Sequence, residues 1–266
     1  MNVSDIIFTP PPHLVAIHGW GFHGAVWEDT GRQLRALGYG FTAVNLPGFG
    51  ACPTLEGEYT LSALADSVLQ ALPPGKDASL PVLLGWSLGG LTALEMIRRY
   101  PERFRALVMV AAAPRFTKAD DWPHGVDPAV LEGFSQTLTE DYRSALTRFL
   151  LLQAGRTDSG RATVKKLKPL LFRHGIPDGK ALEQGLALLR ETDHREVLGS
   201  VRHPVLFVLG ARDNLLSCAA AQDLRALCPH ARAAVIPGSA HAPFISHPAE
   251  FMAVLTEFLG EVFPKL

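Results

Sequence analysis

The 266-residue sequence predicts an α/β fold: a mostly parallel central sheet flanked by helices, with an inserted helical cap. Three observations predict it. Six short runs are apolar throughout rather than alternating, which suits parallel strands covered on both faces. Helical patterns lie between these runs, and strands alternating with helices give right-handed crossovers. The rhythm breaks between about Pro114 and Glu196, where helical periodicity continues without strands.

The strand candidates follow in order. Leu14-Val15-Ala16-Ile17 ends at His18-Gly19, and Phe41-Thr42-Ala43-Val44 ends at Leu46-Pro47-Gly48. Val82-Leu83-Leu84 runs into Gly85-Trp86-Ser87-Leu88-Gly89-Gly90, and Ala106 to Val110 stops before Ala113-Pro114. Val205 to Leu209 ends at Gly210, and Ala233 to Ile236 ends at Pro237-Gly238. A helix over Leu88 to Arg99 has Leu91, Leu94 and Ile97 on one face and closes with two arginines, which suit a helix C-terminus. A last helix from Pro248 to Phe263 carries Phe251, Leu255, Phe258, Leu259 and Val262. Within the break, Asp127-Pro128 makes a good cap and first position. Leu131, Phe134, Leu138, Tyr142, Leu146 and Phe149 follow at spacings of three or four, and Leu182, Leu186 and Leu189 mark a later helix. Flanking strands on both sides favour an insertion over a separate helical domain. The expected core is therefore residues 1–113 and 197–266, with the cap at 114–196.

Composition narrows the class. The chain is 47% hydrophobic and 19% charged, which suits a folded domain with a large core. A net charge of −1 gives no global attraction to nucleic acid or to acidic membranes, and neither partner is expected. Cys52, Cys218 and Cys228 are odd in number and lack C-x-x-C spacing, so neither a disulfide framework nor a zinc site is implied. The start, Met1 to Ile7, lacks a basic segment followed by a long apolar stretch, and no 18-residue apolar run occurs. A cytoplasmic monomer without metal or cofactor is the expectation.

Gly85-Trp86-Ser87-Leu88-Gly89 is G-x-S-x-G between a strand and a helix, the pattern of a nucleophile elbow. The motif alone decides little. Three common residues match by chance in roughly one chain in ten of this length, and the bland alternative is a tight turn with an incidental serine. An elbow serine needs a base, and the base needs an orienting carboxylate. In the order Ser…Asp…His, Asp213 follows the strand ending at Leu209, and His241 follows the strand ending at Ile236. Asp213 taken alone could equally cap its loop or pair with Arg212. His18, His203, His230 and His247 also lie near strand ends or turns. His241 is favoured because it follows the last strand and precedes the terminal helix. The predicted catalytic set is Ser87, Asp213 and His241. The Leu88 N–H at the helix start and the Trp20 N–H in His18-Gly19-Trp20-Gly21 are the expected oxyanion donors. His18 is read as structural, bonding neighbouring loops. There is no G-x-G-x-x-G after a strand, no P-loop and no H-E-x-x-H. A serine at the elbow argues against carboxylate-nucleophile chemistry.

Together these residues resemble the α/β-hydrolase superfamily. Within it, Arg148-Phe149-Leu150 with Gln153, and the string from His241 to Phe251, resemble the BioH family, the pimeloyl-acyl-carrier-protein methyl ester esterases of biotin synthesis. The resemblance implies a substrate methylated at one end and thioesterified to acyl carrier protein at the other. It implies acyl-chain contacts at Trp20, Ser87, Leu88, Phe149, Leu150, Leu151, Leu152, Gln153 and His241. It also implies carrier-protein contacts at Arg148, Arg161 and Lys165, with Arg143 beside the remaining position, Ser144. Independently, the segment from Glu140 to Gly175 holds eight Lys/Arg against three acids, a surface suited to an acidic partner, although a solvated helical face would look the same. The alternatives are a general carboxylesterase for short free esters and a non-catalytic binding module, which would have a broken triad.

Overall fold

A computed structural model describes residues 11–72, 80–155 and 157–264. Met1 to Ile7, and Arg156 of the basic segment, lie outside them. Six strands form one sheet: β1 (His13–Ile17), β2 (Gly40–Val44), β3 (Val82–Trp86), β4 (Ala106–Val110), β5 (Val205–Gly210) and β6 (Arg232–Ile236). Their order is β2-β1-β3-β4-β5-β6, and every neighbouring pair is parallel. All six apolar runs are strands. β3, β4 and β5 are buried at every position, which is why they tolerate no polar side chain. The edge strand β6 is buried only at Ile236 and begins with an arginine, as an unpaired edge permits.

Helices cover both faces of the sheet: α1 (Glu28–Ala36), α2 (Leu61–Ala71), α3 (Leu88–Arg99) and, after five further helices, α9 (Ala220–Leu227), α10 (Pro243–Ser246) and α11 (Pro248–Val262). α3 is buried from Leu88 to Ile97 and emerges only at Arg98 and Arg99, whose charges suit its C-terminal end. α11 starts on Pro248, where the missing N–H costs nothing, and buries the predicted apolar stripe.

The five helices between β4 and β5 are α4 (Pro128–Glu140), α5 (Tyr142–Ala154), α6 (Asp158–Leu171), α7 (Gly179–Glu191) and α8 (Arg195–Ser200). Asp127 caps α4 through the Ala129 N–H. The apolar spacing from Leu131 to Phe149 spans two helices, not one. Asp141, with φ −153°, ends α4, and its carboxylate caps α5 through the Arg143 and Ser144 N–H groups. Periodicity cannot show such a break, because the spacing of buried positions continues across it. α6 has no counterpart in the sequence reading. Its lysines obscure a buried face that includes only Gly160, Thr163, Leu167 and Leu171. The segment between β4 and β5 leaves and rejoins the sheet at one place. The His194 N–H donates to the Pro114 carbonyl, and Asp193 holds Arg115 and Arg195 at 2.8 and 2.6 Å. Among the described residues no helix is long and apolar enough to cross a membrane.

Candidate active site

The strand order reverses between β1 and β3. The chain runs from β1 outward to β2, then crosses to β3 on the other side of β1. Loops diverge from the carboxyl ends of such neighbours and leave a crevice between them. Two of the predicted segments sit there: His18-Gly19-Trp20-Gly21 after β1, and Ser87 after β3.

Ser87 has φ 54° and ψ −121°, a conformation that strains a residue bearing a Cβ. Its glycine neighbours explain how the chain maintains it. A Cβ on Gly85 would stand 2.3 Å from the Gly89 carbonyl oxygen, one on Gly89 2.4 Å from that of Ile17, and one on Gly90 2.4 Å from the Ala112 Cβ. All three positions therefore need glycine for α3 to press its first turn between β1 and β4. The loop after β1 passes equally close, since a Cβ on Gly19 would stand 3.1 Å from the Ser87 Cβ.

Asp213 and His241 are brought together. The His241 Nδ1 lies 2.8 Å from Asp213 Oδ2, and both side chains are buried. With the Nδ1 proton donated to the carboxylate, Nε2 is left as an acceptor. Asp213 Oδ1 accepts from the Leu215 and Leu216 N–H groups at 2.8 and 3.2 Å, so the carboxylate is oriented by its own loop. Arg212 donates its N–H to the Ser239 carbonyl, which joins this loop to the one bearing His241. The His241 backbone is tied at both ends. Its N–H donates to the Gln153 carbonyl of α5, and its carbonyl accepts from the Trp86 indole at 2.8 Å. Trp86 carries no sequence signal beyond its place in the elbow motif. Ser87 Oγ and His241 Nε2 are both buried, and neither has a hydrogen-bond partner.

The backbone N–H groups of Trp20 and Leu88 donate to no protein acceptor among the described residues. The Trp20 indole donates to the Leu182 carbonyl of α7 at 2.8 Å and meets Phe149 edge-on at 4.8 Å. His18 joins two loops: Nδ1 lies 2.9 Å from the Gly19 carbonyl, and the Leu46 N–H donates to Nε2 at the same distance. Burial lowers its pKa to about 3, so the ring is neutral, as this donor–acceptor pair requires.

The α5 run is not uniform. Phe149, Leu150 and Gln153 are buried and Leu152 is half-buried, but Leu151 is 54% exposed. The structure does not bring Leu151 to the other expected acyl-contact positions: its side chain stands on the solvent face of α5 with Arg148, because a step of about 100° per residue turns it away from the buried pair at 149 and 150. Gln153 is buried with both amide atoms unpartnered. The basic residues share the outer surface of α5 and α6 in differing states. Arg143 lies over the Phe172 ring at 4.7 Å, and Arg161 pairs with Asp158. Arg148 and Lys165 are exposed and pair with no carboxylate among the described residues. A cavity of about 380 Å³ opens elsewhere, at the C-terminal half of α3. Its buried carboxylate, Glu95, is already engaged by Ser62, Arg98 and His194.

Residues 12–248 match the model of the alpha/beta hydrolase fold family. The solved structures agree on the fold. An esterase from Exiguobacterium antarcticum superposes with a TM-score of 0.83 at 22% identity, covering 95% of this chain and 93% of that one. A bromoperoxidase from Bacillus anthracis gives 0.84 at 24%, covering 94% and 92%. Among curated proteins, the pimeloyl-acyl-carrier-protein methyl ester esterase of Aeromonas salmonicida is 40% identical over 98% of this chain and 100% of its own length. That of Aeromonas hydrophila is 41% identical over the same shares. With so much of both chains aligned, this chain belongs to the alpha/beta hydrolase fold family and, within it, to the family of the pimeloyl-acyl-carrier-protein methyl ester esterases.

Proposed function

We propose that the protein is a serine esterase that removes the methyl group from pimeloyl-acyl-carrier-protein methyl ester. The carrying observation is the buried Asp213–His241 pair at 2.8 Å on loops beside the strained Ser87 elbow, in a chain 40% identical to such esterases. Ser87 Oγ attacks the ester carbonyl carbon while His241 Nε2 takes its proton. The tetrahedral oxygen receives hydrogen bonds from the Trp20 and Leu88 N–H groups. The C–O bond to the methoxy group then breaks, His241 returns the proton, and methanol leaves. Water attacks the acyl-Ser87 ester by the same path in reverse and releases the free carboxylate. Asp213 keeps the imidazole in the tautomer that accepts from serine.

The half of the substrate that does not react is recognised by the inserted helices, which act as a cap. Phe149 and Leu150 supply apolar wall, and the unpartnered Gln153 amide is available to a polar group of the acyl chain. Arg148 and Lys165 face outward without carboxylate partners, which suits the acidic surface of an acyl carrier. Charge reversal at both positions tests the partner. The kcat/KM ratio of carrier-linked over small soluble methyl ester should fall by about tenfold or more at low salt, with the deficit shrinking as salt rises. An unchanged ratio refutes carrier docking on this face.

A further inference from the structure

We propose that Gly185 of α7 determines acyl-chain specificity by setting the position of the Trp20 indole. The inference rests on the serine-esterase reading above and adds a residue with no reactive group. A Cβ on Gly185 would stand 2.9 Å from Trp20 Cδ1 and 3.4 Å from Leu88 Cδ2. The first distance is too short for a real contact, so the indole can occupy its place only because residue 185 has no side chain. The second shows that the same helix face presses on the other residue of the proposed oxyanion pair.

The indole cannot yield in an arbitrary direction. Its Nε1–H is held by the Leu182 carbonyl, one turn before Gly185 on the same helix face. Its ring also meets Phe149, whose own ring packs edge-on against Phe134 at 5.1 Å. A side chain at 185 therefore displaces an indole that is itself part of the wall proposed to receive the acyl chain. Glycine costs a helix interior stability relative to alanine, and Gly185 lies in the buried face between Leu182 and Leu186. Room for Trp20 is what that cost provides.

The experiment compares kcat/KM for 4-nitrophenyl hexanoate and 4-nitrophenyl acetate in the wild type, Gly185→Ala, Trp20→Phe and the double variant. Gly185→Ala should lower the hexanoate-to-acetate ratio about tenfold, the scale of a pocket narrowed by one methyl group. Trp20→Phe, which removes both the second ring and the tether, should raise the ratio by about threefold or more, and this readout stands even if the alanine variant does not fold. In the Trp20→Phe background the alanine substitution should lower the ratio by less than about threefold, since an untethered ring moves aside. Ratios within about twofold of wild type for either single variant, or an equal drop from Gly185→Ala in both backgrounds, overturn the proposal. Ser87→Ala separates the two levels. Retained hydrolysis would mean that the serine reading has failed, whereas an inactive Ser87→Ala with unmoved ratios means that only the Gly185 inference has.

Discussion

On the proposed reading, replacing Asp213 by asparagine should abolish turnover while leaving the fold intact. Asp213 Oδ1 accepts two loop N–H groups, from Leu215 and Leu216, and Oδ2 faces His241 Nδ1. Asparagine has one oxygen. Keeping it on the two loop donors satisfies both and turns the side-chain NH2 toward His241. Two donors cannot share that contact, so the imidazole gives up its Nδ1 proton and carries one on Nε2. Nε2 is then a donor, and Ser87 loses its base. A tautomer trap of this kind costs about 10⁴ in kcat, or roughly 5 kcal/mol of barrier. Asp213→Ala would also strip both loop N–H groups of their acceptor, at about 1–3 kcal/mol of stability for each buried donor left unpaired. The assay is steady-state hydrolysis of a soluble 4-nitrophenyl ester, with urea melts of both variants alongside. Asp213→Asn should melt near the wild type and Asp213→Ala clearly below it. An asparagine variant that keeps turnover within about tenfold of wild type refutes the orienting role of Asp213.

Two further predictions concern the frame around the serine. Ser87→Gly should eliminate hydrolysis yet raise the urea midpoint, because relief of about 1–3 kcal/mol of strain at φ 54° outweighs the roughly 0.5–1 kcal/mol entropic cost of glycine; a lowered midpoint would show that the elbow is unstrained. His18 stays neutral when folded down to about pH 3, whereas the unfolded chain protonates it near 6.5. Stability is therefore unaffected by this group above pH 6.5 and falls as pH drops below it, by about 2 kcal/mol between pH 6.5 and 5. His18→Asn should flatten that slope in urea melts, and an unchanged slope would remove His18 from the account.

What could be read from the sequence follows from which groups carry the constraint. The inner strands β3, β4 and β5 are legible because a parallel sheet buries both their faces and so excludes polar side chains, while the edge strands β2 and β6 keep mostly apolar runs but admit Thr42 and Arg232. The Ser87 elbow is legible because its glycines are demanded by atoms within 2.3–2.4 Å, and nothing else fits. Asp213 and His241 are legible from their places after β5 and β6. The contacts that join these parts are not. The Trp86 indole meets the His241 carbonyl, the His241 N–H meets the Gln153 carbonyl, and the Trp20 indole meets the Leu182 carbonyl. Every residue has a carbonyl, so an acceptor of this kind leaves no mark on residue identity. The break at Asp141 leaves no mark for a different reason. The spacing of three or four continues from Leu138 through Tyr142 to Leu146, so apolar periodicity runs straight across the α4–α5 junction.

The same contacts bear on what the inserted helices do. α5 holds the loop of the proposed base through Gln153, and α7 holds the proposed oxyanion loop through Leu182. A rigid swing of the whole insertion away from the sheet would break both, at about 0.5–1.5 kcal/mol each, and would also strain the Arg115–Asp193–Arg195 stem. On the proposed reading, these helices are therefore part of the frame that positions the reacting groups as well as a cover over them. α5 joins two tasks on one cylinder: Arg148 and Leu151 lie outward, while Phe149 and Gln153 lie inward. On the proposed reading, substitutions on the outward face change how strongly the carrier is held and vary with salt. Those on the inward face change which acyl chain is processed and do not. The two classes alternate along a single helix because successive residues of a helix point about 100° apart.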